Sequence, residues 1–321
     1  MPQVNHVRKL GSIDFVSGGR RTMDLEKGDV LLELYLRLRY RITNAAGGPV
    51  GPLYQTLSRL IQRIEVLVGG RDNVISVAGA SLAAMRSREN GIVEQGMDAT
   101  VVLTNSAVTD YDINLSLPFY LPNGRRPDDT ALDLRRVSSA TLAVNWGPSD
   151  CSDHFTTPNG ALISLVQLQV EGRYLNDAPA DAVYLTRQLD FVNREVVANN
   201  AAMDIIMDRG SGLAYRSFHL ETLADRIASV TVLNAARLEA GARQFGNRDA
   251  PQILADNRRV SKLAAVAGNY HFDLSTFGQA VTWIPTDALP ADLKLILDVT
   301  KQGTSCFANV TREAVRPLKI A

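Results

Sequence analysis

From Val30 to Thr43 apolar and polar side chains alternate almost without interruption. Leu32, Leu34, Leu36, Leu38, Tyr40 and Ile42 share one side of that alternation; Glu33, Tyr35, Arg37, Arg39, Arg41 and Thr43 share the other. A period of two matches the pleat of a β-strand, whose successive side chains point to opposite faces, and predicts a long half-buried strand. On a helix the same leucines would scatter around the axis. Shorter runs predict further strands at Arg63–Val68, Val74–Val77, Thr100–Thr104, Asp112–Leu117, Ala140–Trp146 and Leu162–Glu171. Gly69 and Gly70 supply the positive φ of a hairpin turn between the first two of these. Short helices are expected at Ser81–Arg88, with Ser81 as cap and Gly91 as terminator, and at Ala250–Arg259. Pro118–Pro127 holds three prolines and Gly124, which removes ladder donors and predicts a long surface excursion.

The pattern recurs. Leu25-Glu26-Lys27-Gly28 ahead of the long strand has a counterpart in Met207-Asp208-Arg209-Gly210. Leu60–Val68 aligns with Leu223–Thr231 through a shared Arg-Ile centre, and Tyr111–Ser116 with Tyr270–Ser275. Leu142–Trp146 aligns with Leu295–Val299, and Leu165–Val170 more weakly with Cys306–Thr311. The matches keep their order while their spacing shrinks, as shorter loops in a second copy would produce. Coincidence among alternating sequences, which draw on few residue types, is the competing explanation. No period of ~20–50 residues is present, so the repeating unit is a whole domain rather than a solenoid turn.

Asn176–Asp181 is polar and small and holds Pro179, which marks it as the linker and gives domains of 1–177 and 178–321. Each half carries roughly eight strand candidates, the number that a double-sheet jelly roll folds through two Greek keys. The fold class expected is therefore all-β: two tandem eight-stranded jelly rolls with short helices in loops. An immunoglobulin-type sandwich is the alternative, although ~100 residues would suffice for one.

The 321 residues, 45% hydrophobic and 21% charged, are enough for two globular cores. No apolar stretch approaches the ~20 residues of a spanning helix, and no apolar run follows His6, Arg8 and Lys9 to form a secretion signal. The 34 basic residues balance 34 acidic ones, which disfavours the strongly cationic surface of a nucleic-acid coat and any direct sequence-specific nucleic-acid binding.

Candidate chemistry is sparse. His6, His154, His219 and His271 are isolated and lack metal-ligand spacing, and Cys151 and Cys306 form no CxxC pair, so free thiols are expected. Gly79-Ala80-Ser81-Leu82-Ala83 approaches a nucleophile elbow but lacks its last glycine. No phosphate-binding glycine loop occurs. Asp128, Asp129 and Asp133, like Asp150 and Asp153, are read as turn caps in preference to calcium ligands. The pairs Arg20-Arg21, Arg125-Arg126, Arg135-Arg136 and Arg258-Arg259 suit solvated surface, intersubunit ion pairs or lipid headgroups. No catalytic, cofactor or metal residue is assigned, and no cofactor is expected. Trp146 and Trp283 both lie in apolar strand-like contexts, leaving little aromatic platform for stacking a sugar.

Leu60-Ile61-Gln62-Arg63-Ile64-Glu65-Val66 followed by Gly69-Gly70, and Leu117–Pro122 leading through Pro127–Asp133 to Leu142–Trp146, carry a family likeness. In these motifs and in its tandem layout the chain resembles the double jelly-roll major capsid proteins of tailless, internal-membrane-containing bacteriophages and the adenovirus-hexon lineage. Corticovirus-like, autolykivirus-like and Flavobacterium-phage-like members have a similar size, and the residues do not separate them. The resemblance implies a non-enzymatic structural protein of the virion, assembled in host cytoplasm. It implies a homotrimer of six jelly rolls with a pseudo-hexagonal footprint, tiling an icosahedral shell over an internal lipid membrane. Implied partners are the chain itself, neighbouring trimers, vertex or minor capsid proteins and the membrane; by its flanking position and its Arg8-Lys9 pair, Met1–Lys9 is placed to reach the membrane or a neighbouring trimer. A two-domain carbohydrate-binding protein or glycan-active enzyme is the alternative class.

Overall fold

The computed structural model describes residues 5–45, 47–53, 56–94, 108–121, 130–176, 178, 185–263, 267–274 and 283–317. Two compact units divide the chain: Met1–Ser87, Val93–Arg187 and Leu318–Ala321 form one, Arg88–Ile92 and Gln188–Pro317 the other. The main division thus falls between Arg187 and Gln188. In the linker stretch predicted around residue 178, residues 177 and 179–184 lie outside the described ones, as do the predicted strand Thr100–Thr104 and residues 122–127 of the proline-rich excursion.

Eight principal strands build the first unit: β1 (Asn5–Asp14), β2 (Arg20–Asp24), β3 (Val30–Thr43), β4 (Ile61–Val68), β5 (Asp72–Val77), β6 (Val108–Pro118), β7 (Ala140–Trp146) and β8 (Leu162–Leu175). They pair as two four-stranded arrays, β1-β8-β3-β6 and β2-β7-β4-β5. The alternation read between residues 30 and 43 is β3, with the same ends. Its register explains why it matters: Leu36 lies between Val170 and Leu115, and Leu38 between Leu168 and Ile113. All six side chains are buried. Directly opposed side chains on one face of a sheet sit ~5 Å apart, so these rows form continuous apolar ridges. The other array contributes Ile64 between Val77 and Val144, and Val66 between Ile75 and Leu142, also buried. The β4–β5 turn uses Gly69 and Gly70 at φ 59° and 73°, as predicted.

The second unit repeats the order. Its strands are β9 (Leu185–Glu195), whose first three residues precede the division, β10 (Asn200–Ile206), β11 (Ala214–Ala224), β12 (Leu233–Ala240), β13 (Arg243–Asp249), β14 (Asn269–Asp273), β15 (Leu293–Val299) and β16 (Cys306–Pro317). They pair as β9-β16-β11-β14 and β10-β15-β12-β13, the same connectivity strand for strand. Phe218 opposes Phe272, Leu220 opposes Tyr270 and Val310, and Leu238 opposes Leu295 within one apolar core.

Four of the five sequence matches therefore join equivalent elements: the turn before β3 with that before β11, β6 with β14, β7 with β15, and β8 with β16. The match of Leu60–Val68 to Leu223–Thr231 is corrected, since the counterpart of β4 is β12 at Leu233–Ala240. Residues 5–9 of the Met1–Lys9 stretch lie in β1, paired along β8. Helix α1 (Gly79–Asn90) follows β5 and helix α2 (Ala250–Ser261) follows β13, each of 12 residues. Asp249 and Gln252 form a reciprocal capping box at the start of α2, closing two orphan donors. Ser81 is not a cap: α1 begins at Gly79, and the buried Ser81 hydroxyl has no hydrogen-bond partner.

One position on the polar side of β3 is sealed. Glu33 is 3% exposed, with Arg86 at 3.5 Å and Arg173 at 3.4 Å. Removing one partner of a buried pair strands the other charge at a cost of about 3 kcal/mol or more. Glu33→Ala is expected to lower unfolding free energy by about 3 kcal/mol in urea titration, whereas Arg37→Ala, on the same face but in solvent, is expected to leave the curve nearly unchanged.

Candidate functional surface

The residues that sequence reasoning singled out for chemistry do not converge. Among the described residues no three His, Cys, Asp or Glu side chains gather as a metal site. Cys151 and Cys306 are both buried and free. Burial, then the neighbouring Asp150, pushes the Cys151 thiol up to about 12, which leaves it a thiol rather than a nucleophilic thiolate near neutrality. Asp133 caps the backbone of Arg135 at 3.1 Å and pairs with its guanidinium at 2.8 Å and with Arg136 at 3.3 Å. That arginine pair is therefore held within the chain. Asp150 accepts from Ser152 N at 2.9 Å, a local turn bond, and Asp153 accepts from the Gln62 amide on β4 at 3.0 Å. Asp128, Asp129, Arg125 and Arg126 lie outside the described residues. Trp146 is buried and donates to Asp14 O at 3.1 Å. Trp283 departs from expectation: it is 43% exposed and precedes the short strand Ile284–Pro285.

Two histidines that looked unrelated in sequence are cross-strand partners. His219 on β11 faces His271 on β14, with ring centroids 6.3 Å apart, and both are buried. Burial, reinforced by the charge of Arg88, pulls His219 down to about 4. Separately, His154 is fully enclosed, with its Nε2 3.2 Å from the Tyr40 hydroxyl. Burial and then Arg59 pull it down to about 3. Neither ring is a ready general base at neutral pH. Only the β14–β11 register, which periodicity does not reveal, would have exposed the His219–His271 pairing.

Charge is concentrated instead on the open face of β8-β3-β6. Arg37 grips Asp112 at 2.8 and 2.6 Å, Arg39 reaches the same carboxylate at 3.1 Å, and Arg41 grips Asp110 at 2.6 and 2.8 Å. Hydrogen bonds from Arg37 hold the Asp112 carboxyl below the usual range, and Arg41 does the same for Asp110. Beside this ladder lies a cleft of about 310 Å³ lined by Tyr35, Arg37, Asn114, Gln169 and Glu171. The face is polar, open on one side and fixed by bidentate contacts. These properties suit contact with another surface better than enclosure of a small substrate.

No family model and no curated protein matches the sequence. Solved structures do match. The MCP of STIV, the Sulfolobus Turreted Icosahedral Virus, aligns over 99% of this chain and 98% of its own at 12% identity and a TM-score of 0.78. The major capsid protein P2 of bacteriophage PM2 aligns over 98% of both chains at 13% identity and a TM-score of 0.59. A chain of the PBCV-1 virus capsid aligns over 98% of this one and 95% of its own, with 12% identity and a TM-score of 0.65.

Both depressed histidines make the fold acid-labile. Each stays neutral when folded but binds a proton when unfolded, so the unfolded chain holds more protons between their folded values and the ordinary value near 6.5. Stability is therefore full above about pH 6.5 and is lost as pH falls toward 4 and below. Melting temperatures between pH 7.5 and 4 are expected to fall with acid, and His219→Asn is expected to flatten part of that slope. A wild-type melt insensitive to pH across this window would contradict the assignment. With these charges and clefts placed, the end-to-end match means that the chain has the double jelly-roll fold of viral major capsid proteins.

Proposed function

We propose that the protein is the structural major capsid protein of a virus. The observation that carries this reading is the strand-for-strand repetition of one jelly-roll connectivity in two units, in a chain that aligns from end to end with proteins named as major capsid proteins. The fold gives the reading a physical basis. A chain with two near-equivalent domains, repeated by a threefold axis, offers six similar sides from one gene product and can tile a surface nearly hexagonally. The functional unit is accordingly a homotrimer, meeting neighbouring trimers laterally in an icosahedral shell of the virion.

An internal lipid membrane, and vertex or minor capsid proteins at the edges of the lattice, complete the assembly; balanced charge suits a coat set apart from its genome. Assembly takes place in host cytoplasm. The role is structural, without bond-making chemistry: buried histidines, a protonated thiol and a small polar cleft support it. We place the domain boundary at the short stretch around residue 178 that precedes β9.

Light scattering of purified protein is expected to give about 105 kDa, three copies of 35.0 kDa. A single species of one-chain mass at assembly-like concentrations would count against the capsomer and redirect attention to glycan binding.

A further inference from the structure

The open face of the first unit is a grid laid out by strand register. One row across it is Glu171 on β8, Tyr35 on β3 and Ser116 on β6; the next is Gln169, Arg37 and Asn114. Neighbouring strands lie ~5 Å apart and successive side chains on one face ~7 Å apart. The cleft of about 310 Å³ sits across these two rows, at the small end of the range of ligand pockets, with room for one sugar ring. The corresponding row of the second unit holds no such hollow. There Ser217 is in register with Asp273 and Glu313, and Ser217 and Glu313 are buried and bonded to each other.

The charges that line the cleft already answer one another. Arg37 gives Nε and Nη2 to Asp112, and Glu171 acts on Arg37 and stands opposite Lys9. Nothing there calls in a counter-ion. What the lining offers is neutral hydrogen bonding: Asn114 and Gln169 each carry an amide oxygen and an amide nitrogen, and the Glu171 carboxylate has more acceptor sites than one contact uses. Gln169 donates to Gln167 at 3.4 Å, which leaves its amide oxygen and a second N–H. Tyr35 supplies an apolar wall, and its hydroxyl is tied to Arg173 and Glu33, which fixes the ring. A pyranose has a face of C–H groups and a rim of vicinal hydroxyls, each both donor and acceptor. An aromatic ring beside paired amides is the complement of that pattern.

We propose that this cleft binds one neutral pyranose unit of a glycan, its C–H face against Tyr35 and its hydroxyls bonded to Asn114, Gln169 and Glu171. A sugar at the end of a glycan is presented from outside and needs only a half-open seat, which fits a face too open to enclose a small substrate. Every lining residue stands on β3, β6 or β8, whose register is locked by the apolar ridges beneath. The seat is thus formed before the ligand arrives, and little ordering entropy is lost on binding. The proposal adds a ligand to the structural role and does not depend on the number of copies in the assembly.

Saturation-transfer NMR of the purified protein with the methyl glycosides of glucose, galactose, mannose and N-acetylglucosamine tests this. At least one is expected to bind with a dissociation constant of about 1–10 mM. Asn114→Ala and Gln169→Ala, which each remove an amide, should weaken that binding about three- to tenfold, while Tyr35→Phe, which keeps the ring, should leave it unchanged. Thermal melts of the two amide variants should match wild type, since both side chains reach solvent. Affinity should hold between about 0.05 and 0.5 M salt, because no net charge is used. Absence of binding by all four glycosides, or binding that both amide variants leave intact, would overturn the site. Binding and mass are read separately: a three-chain mass without binding overturns this inference alone, and a one-chain mass with cleft-dependent binding overturns the capsomer reading alone.

Discussion

An antiparallel sheet with one apolar face is stable in water only when something covers that face, and this chain meets the requirement twice with its own strands. In the first unit the ridges Val170–Leu36–Leu115 and Leu168–Leu38–Ile113 need the facing rows at Ile64 and Val66. Each fully buried aliphatic side chain contributes roughly 1.5–3 kcal/mol, so these rows set the register before any polar contact matters. A slip by one residue would turn Leu36 and Leu38 to solvent and drive Arg37 and Arg39 into the core. Everything described on the open face of β3, including the ladder of Arg37, Arg39 and Arg41 with Asp112 and Asp110, is held in place by what lies beneath it.

Polar groups then differentiate two domains that share a plan. In the first unit the outer side of β3 is closed only near Glu33 and opens toward Tyr35, Arg37 and Glu171. In the second, β11 and β16 are buried on both sides, carrying His219, Glu221, Thr311 and Glu313 among the enclosed residues. Arg312 is likewise buried and pairs with Asp190 and Asp208. Buried charges and histidines of this kind are costly unless paired, and they tie the second unit to a narrower range of pH than its apolar core would impose.

Much of this was legible where one periodicity dominates. Strand β3 was readable to the residue because its alternation runs uninterrupted, and β7 because Ala140–Trp146 is bounded by turn formers. The edge strands β2 and β13 were not, since Arg20–Asp24 and Arg243–Asp249 are mostly solvent-facing and carry little apolar signal. β1 was not readable as a strand, because its order comes from pairing with β8 rather than from its own pattern. The mistaken alignment of β4 with Leu223–Thr231 shows the limit of matching alternating sequences: an Arg-Ile pair recurs by chance, while the true counterpart, β12, shares connectivity and few residues. The site was less legible than the fold. His219 with His271, Arg37 with Asp112, and the cleft beneath Glu171 all arise from register between strands far apart in sequence.

The central claim is that two copies of one strand plan, joined in a single chain, act as near-equivalent sides of a six-sided capsomer. Cryo-electron microscopy of the purified assembly tests it most directly. The account predicts a threefold particle with six similar lobes in projection, in which β1-β8-β3-β6 and β9-β16-β11-β14 take equivalent orientations around the axis. A particle with three lobes, or with the two sheets in unrelated orientations, would contradict it.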